Sequence, residues 1–212
     1  METYILNMPQ RQDRKSSVSH EFEEKAEFSY HFVTPISHQI PRVSHWLSFQ
    51  DITKKANGMN LDYFIFCEDD HVFTDAYNET YLLSMIREAD TLGADILLGG
   101  VSAMRSPIQI SEHLFWLNIF NGTQFVIVFK RMYEAIINSK YDEETVVTDF
   151  FLSLLSDNIF VIYPFISVQK EFGYSDVTLS NNKSGYVEEL FQGTTNGLNI
   201  LNKVRRYYDR LL

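Results

Sequence analysis

The chain has one cysteine, Cys67, among its 212 residues. An internal disulfide is therefore impossible, and a zinc site built from several thiolates is excluded. Nine glycines and five prolines are too few for a collagen-like or low-complexity chain. Bases are scarce as well: 18 Lys and Arg stand against 28 Asp and Glu, a formal net charge of -10. No apolar run approaches the ~20 residues that cross a bilayer. The opening METYILNMPQ lacks the basic segment and long apolar stretch of a secretory leader, so the expectation is a soluble, cytoplasmic protein. The six histidines include no close pair at ligand spacing on one helix, which argues against a zinc hydrolase.

What is present is apolar bulk. The sequence is 45% hydrophobic and 15% aromatic, enough for a sizeable core in one domain. The charge is uneven. Residues 1–60 are neutral, residues 61–180 carry -12, and residues 181–212 carry +2. An acidic middle repels phosphate backbones, so nucleic acid is not an expected partner. It suits either a solvated acidic face or carboxylates gathered around a divalent cation.

Hydrophobic periodicity alternates between strand and helix. Tyr4 to Met8 reads as a strand stopped by Pro9, and a charged helix with Val18, Phe22 and Ala26 on one face follows. Phe28 to Val33 is a second strand. A helix starts at Pro41, a favoured first-turn position, and ends at Asn57-Gly58. Tyr63 to Cys67 is a continuous apolar run, as in a strand buried on both faces. Tyr81 to Ala89 reads as a helix and Ile96 to Leu98 as a strand. Asn121-Gly122 is a hairpin turn between Phe115–Phe120 and Gln124–Phe129. Helices over 131–138 and 146–155 and a strand over 159–163 complete the pattern. The expected fold is α/β with a mainly parallel central sheet flanked by helices in a single domain spanning 1–180. The polar stretch 180–199 reads as a loop or linker to a C-terminal amphipathic helix, residues 181–212 together.

Glu68-Asp69-Asp70 follows the buried strand, so its carboxylates project at the carboxyl edge of the sheet, where open α/β sheets bind ligands. Three adjacent acids repel one another, and a hard cation such as Mn²⁺ or Mg²⁺ relieves that while bridging nucleotide phosphates. An ordinary acidic turn is the competing reading. Cys67 lies inside the apolar run and reads as a buried, inert thiol.

The chain resembles glycosyltransferase family 25, the lipooligosaccharide sugar transferases and collagen galactosyltransferases with a GT-A type fold. The resemblance rests on Tyr4 to Met8 followed by Arg11, Asp13 and Arg14, and on Ser44-His45 with Phe49 and Ile52. It continues through the Glu68-Asp69-Asp70 triplet, Asn121-Gly122-Thr123 with the FVIVFKRMYEAII segment, and Val147-Thr148-Asp149 with Phe151-Leu152. Pro164, Gln169 and Ser175-Asp176 close it. These blocks keep the family's order over residues 4–180. Arg42-Val43 replace the small residue and cysteine that precede serine-histidine in the family, and Gln124-Phe125 depart from its later block; both bear on acceptor choice.

The resemblance implies a metal-dependent, inverting hexosyltransferase. It would move galactose or glucose from a UDP-sugar to a glycan or lipid-linked glycan in surface polysaccharide or lipooligosaccharide biosynthesis. Glu68 and Asp70, with Asp176, are the metal candidates. Asn7, Arg11, Arg14 and Asp69 are donor contacts, and Asp149 is the candidate base. The competing readings are a first-turn helix acid for Asp149, exposed bases for Arg11 and Arg14 and a loop cap for Asp176, while His45, on an otherwise apolar helix face, reads as a core histidine with a substrate contact as its alternative. A degenerate member that binds nucleotide sugar or glycan without turnover is the alternative function. A receiver-like signalling domain fits poorly, because no separate Asp and Lys sit at later strand ends. The tail NILNKVRRYYDRLL is basic, aromatic and amphipathic. Such a helix either packs on its own domain or meets an anionic membrane surface peripherally.

Overall fold

The computed structural model describes residues 1–141, 147–173 and 183–211. The elements run β1 (Glu2–Leu6), α1 (Gln12–Phe22), β2 (Ser29–Val33), α2 (Pro41–Gly58), β3 (Tyr63–Glu68), β4 (His71–Phe73), α3 (Glu79–Thr91) and β5 (Ile96–Leu98). They continue with β6 (Ala103–Arg105), β7 (Ile108–Gln109), β8 (Leu114–Leu117), β9 (Ile119–Asn121), β10 (Phe125–Phe129) and α4 (Tyr133–Asn138). The last four are α5 (Thr148–Leu155), β11 (Ile159–Ile162), β12 (Ser167–Gln169) and α6 (Tyr186–Asp209).

Eight strands form one sheet in the order β2-β1-β3-β10-β5-β11-β8-β7. Six of them point the same way, as a mainly parallel sheet requires. β10 and β8 are reversed, so the pairings β3–β10, β10–β5, β11–β8 and β8–β7 are antiparallel and the sheet is mixed. Strand alternation divides the core between two faces. Tyr4, Phe64, Phe66, Leu98, Val126 and Val161 face α2, α4, α5 and α6. Ile5, Ile65, Cys67, Leu97, Ile127 and Phe160 face α1 and α3. The result is a three-layer sandwich with Trp46 and Phe49 of α2 stacked at 6.0 Å and Phe49 against Phe66 at 4.7 Å.

Two expectations are corrected. Asn121-Gly122 does not close a hairpin: β8 pairs with β11 and β7, β9 pairs with β6, and β10 inserts between β3 and β5. Gly122 has a φ of +119°, and the chain there crosses from one sheet to another. The stretch 186–199 is also not a linker. α6 spans it, and Val187, Phe191 and Leu198 are buried in the core on the α2 side. Its cap comes from a distant residue: the Glu171 carboxylate accepts the N–H groups of Gly185 and Val187, each at 2.7 Å. Gly100 marks a close passage, where a Cβ would lie 2.1 Å from the Ser167 carbonyl oxygen.

Candidate active site

Sheet register gathers the polar residues at one edge. β1 and β3 are parallel with Leu6 opposite Glu68, so the residues after each strand are neighbours. Asn7 donates from Nδ2 to Asp69 Oδ2 at 2.9 Å. β10 runs the other way, so its beginning meets the end of β3: the Glu68 N–H donates to the Gln124 carbonyl at 3.2 Å, and Thr123 Oγ1 donates to Glu68 Oε1. The first turn of α1 turns Arg14 back over the triplet. Its Nη1 lies 3.0 Å from Asp69 Oδ1 and 3.3 Å from Asp70 Oδ2, and the guanidinium sits 4.8 Å from the Phe172 ring centre.

From the α2 side, His45 bridges two elements. Its Nε2 is 3.1 Å from Glu68 Oε1 and its Nδ1 is 2.7 Å from Thr148 Oγ1 at the start of α5. Nε2 is placed to donate to the Glu68 carboxylate, and Nδ1 shares a hydrogen bond with the Thr148 hydroxyl. Asp149, the next residue, accepts on Oδ2 from Asn121 Nδ2 and from the Gly122 N–H at 3.0 Å, and on Oδ1 from the Phe150 N–H at 2.8 Å.

These groups line one cleft of about 320 Å³, which includes Arg11, Arg14, His45, all three triplet acids, Thr123 and Asp149. Asn7 lies beneath it, buried and bonded to Asp69. Asp176 lies outside the described residues. The cleft thus brings together residues that are far apart in sequence, and adds His45, Thr123, Thr148 and Asn121 to the anticipated set. His45 sits on an otherwise apolar helix face, so periodicity pointed it into the core; the Ser44-His45 block was the signal for a polar role. Cys67 is fully buried, and burial followed by the neighbouring acids pushes its thiol well above the ordinary range.

The acids are not equivalent. Burial pushes Glu68 up, but the hydrogen bond and charge of His45, the Thr123 hydroxyl and Arg14 together bring it below the usual range. Asp70 goes the other way. Burial, then the charges of Glu68 and Asp69, hold its carboxyl well above the usual range against the pull of Arg14. Burial also raises Asp149, with the Gly122 and Phe150 N–H groups acting against it.

Both Asp69 oxygens are engaged, and one Glu68 oxygen takes two hydrogen bonds. Asp70 Oδ1 is buried and accepts no hydrogen bond. Among the described residues, no three His, Cys, Asp or Glu side chains assemble into a metal cage. Asp70, through Oδ1, and Glu68, whose hydrogen bonds fall on Oε1, are the triplet acids with oxygen capacity to spare for a cation.

No protein-family model matches the chain, and no curated protein matches it in sequence. Among solved structures it is similar to the crystal structure of A197 from STIV, with a TM-score of 0.53 and 13% identity over 80% of this chain and 84% of that one. At that identity the likeness is one of fold. Lower scores relate it to a glycosyltransferase involved in the glycosylation of the major capsid of PBCV-1 (TM-score 0.43, 12% identity, 64% of this chain and 62% of that one). A further similarity is to apo UDP-glucose pyrophosphorylase (TM-score 0.48, 9% identity, 100% and 82%).

Proposed function

We propose that the cleft binds a nucleotide sugar, with the GT-A type arrangement that the family 25 resemblance implies, and transfers its hexose to a glycan hydroxyl. One observation carries the reading. Asp70, two residues past the end of a central strand, lines the cleft with a buried carboxylate oxygen that accepts no hydrogen bond, beside the Arg14 guanidinium and in the same cleft as the buried Asp149.

Asp70 and Glu68 are the residues that would hold Mn²⁺ or Mg²⁺, which would supply charge neutralisation for a departing diphosphate. Arg14 and Arg11 supply fixed positive charge at the same edge, Arg14 locked by Asp69 and Phe172. His45 and Thr123 fix the Glu68 carboxylate, and Asn7 fixes Asp69. Asp149 takes the proton of the attacking acceptor hydroxyl. The acceptor oxygen bonds to the anomeric carbon, the bond from that carbon to the diphosphate oxygen breaks, and the diphosphate leaves with the electron pair. An inverting course follows if base and leaving group lie on opposite faces of the sugar. Burial moves Asp149 toward the operating pH, as a base requires, and Oδ1 retains lone-pair capacity beyond the Phe150 N–H.

The three hydrogen bonds already accepted by Asp149 favour a second reading, in which it is a structural clamp and the cleft binds a nucleotide sugar or glycan without turnover. Thermal stabilisation and donor hydrolysis across a panel of nucleotide sugars, with and without Mn²⁺, separate the two. The transferase reading expects a Mn²⁺-dependent shift that Asp70→Asn removes. It also expects Asp149→Asn to keep that shift and lose turnover by about 10²–10⁴-fold. No Mn²⁺-dependent shift with any UDP-sugar would sink the transferase reading; a shift that needs Asp70 without hydrolysis or transfer selects the second.

A further inference from the structure

α6 is apolar on two sides. Its inward side carries Leu198 and Asn202, both buried, and Asn199 and Asn202 tie it to Tyr163 and Gln109. Over the last turns a second stripe, Ile200, Val204, Tyr207, Tyr208 and Leu211, is between 49% and 65% exposed. At 3.6 residues per turn the four within the helix fall within an arc of about 100°, with Leu198 and Asn202 on the opposite side, and Leu211 follows just past the helix end. They are five of the thirteen large apolar side chains exposed among the described residues, so the stripe is a concentration rather than ordinary surface scatter.

The charge around the stripe identifies what covers it. Residues 200–211 carry +3, and the rest of the chain carries -13. Lys203 and Arg210 flank one side of the stripe and Arg205 the other, while Arg206 reaches back to Glu112 at 3.6 Å. Arg205 pairs with Asp209 at 3.4 Å, and Lys203 and Arg210 make no ion pair among the described residues. Tyr207 and Tyr208 pack edge to face at 5.3 Å, offering ring bodies with polar tips, the side-chain type favoured where hydrocarbon meets water. A second copy of the chain would bring two basic borders together and be repelled. An anionic lipid surface satisfies both the stripe and its border, and it repels the acidic remainder of the molecule, which fixes the orientation.

We propose that the C-terminal turns of α6 lie flat on an anionic lipid surface, with Tyr207, Tyr208 and Leu211 entering the interface and Lys203 and Arg210 meeting headgroups. The test is co-sedimentation of the full chain with vesicles of phosphatidylcholine alone or mixed with phosphatidylglycerol, at low and high salt. The chain is expected to sediment only with the mixed vesicles and to be released by salt. Lys203→Glu/Arg210→Glu weakens partitioning by at least about 30-fold, from the loss of two basic contacts. Tyr207→Ser/Leu211→Ser also abolishes sedimentation, and both variants retain the wild-type melting temperature because the altered side chains are exposed. Failure of the wild type to bind anionic vesicles overturns the proposal, as does equal binding by either variant. A dimer in solution that Tyr207→Ser/Leu211→Ser dissolves, with no vesicle binding, assigns the stripe to a second copy and equally overturns it. So does salt-sensitive binding to polyglutamate that matches vesicle binding and ignores the Tyr207→Ser/Leu211→Ser change.

Discussion

Replacing Arg14 by methionine tests whether the triplet is held together by protein charge. The Arg14 side chain is 7% exposed, and its partners Asp69 and Asp70 are 8% and 17% exposed, so screening by water is slight. At an effective dielectric near 20, each charge pair with centres ~4 Å apart is worth about 4 kcal/mol before desolvation. Methionine keeps much of the packing volume but leaves three neighbouring acids without their cation. Removing one member of a buried ion pair typically costs about 3–5 kcal/mol. For a chain of this size that lowers the melting temperature by about 6–20 °C. Thermal denaturation followed by circular dichroism in metal-free buffer reads the shift. Asp69→Asn introduced on top of Arg14→Met should then recover part of the loss, because it removes a charge that the first change orphaned. Melting of Arg14→Met within about 2 °C of wild type, or a deeper loss on adding Asp69→Asn, would show that Arg14 does not hold the triplet together.

Other perturbations follow from single contacts. The N–H groups of Gly185 and Val187 hold the Glu171 carboxyl below its usual range. A depressed native value adds stability above the unfolded value and loses it as pH falls through the native one. Glu171→Ala should therefore speed amide exchange at Val187 at neutral pH, with the difference from wild type vanishing in acid; equal exchange at neutral pH would show that the cap is idle. Gly100→Ala drives a Cβ to 2.1 Å from a backbone oxygen, so urea titration should show a loss of about 3 kcal/mol, the upper end of the usual cost of overpacking. Gly58→Ala, at the end of α2 with no atom within 4 Å of the added Cβ, should instead stabilise by about 0.5–1 kcal/mol in the same assay.

The long, strongly periodic elements were legible in the sequence. The boundaries of α2 at Pro41 and Gly58 and the apolar run of β3 come from local signals that tertiary packing reinforces. α6 was hidden in its first half because Gly193, Gly197 and a run of Asn and Thr oppose helix propensity, and its cap is a carboxylate far upstream at Glu171. The short strands β4, β6, β7, β9 and β12 are two or three residues long, below what period-2 patterning resolves. In the cleft, the acids were legible because three in a row after an apolar strand are conspicuous. His45, Thr123 and Thr148 were not assigned there, since their roles depend on the meeting of α2, β10 and α5 and on no spacing within any one of them.

β10 also decides when the growing chain can close. β3 and β5 are both made before it, yet they do not pair with each other; each bonds to β10 instead. Until residue 129 has left the ribosome, β3 is an open strand edge and β5 has no strand partner, since its other neighbour, β11, is made later still; such edges pair with neighbouring chains. A break anywhere between residues 98 and 125 separates that strand from both of its partners. One late strand thus makes the first half of the sequence depend on the second, and the sheet cannot be divided at the middle of the chain.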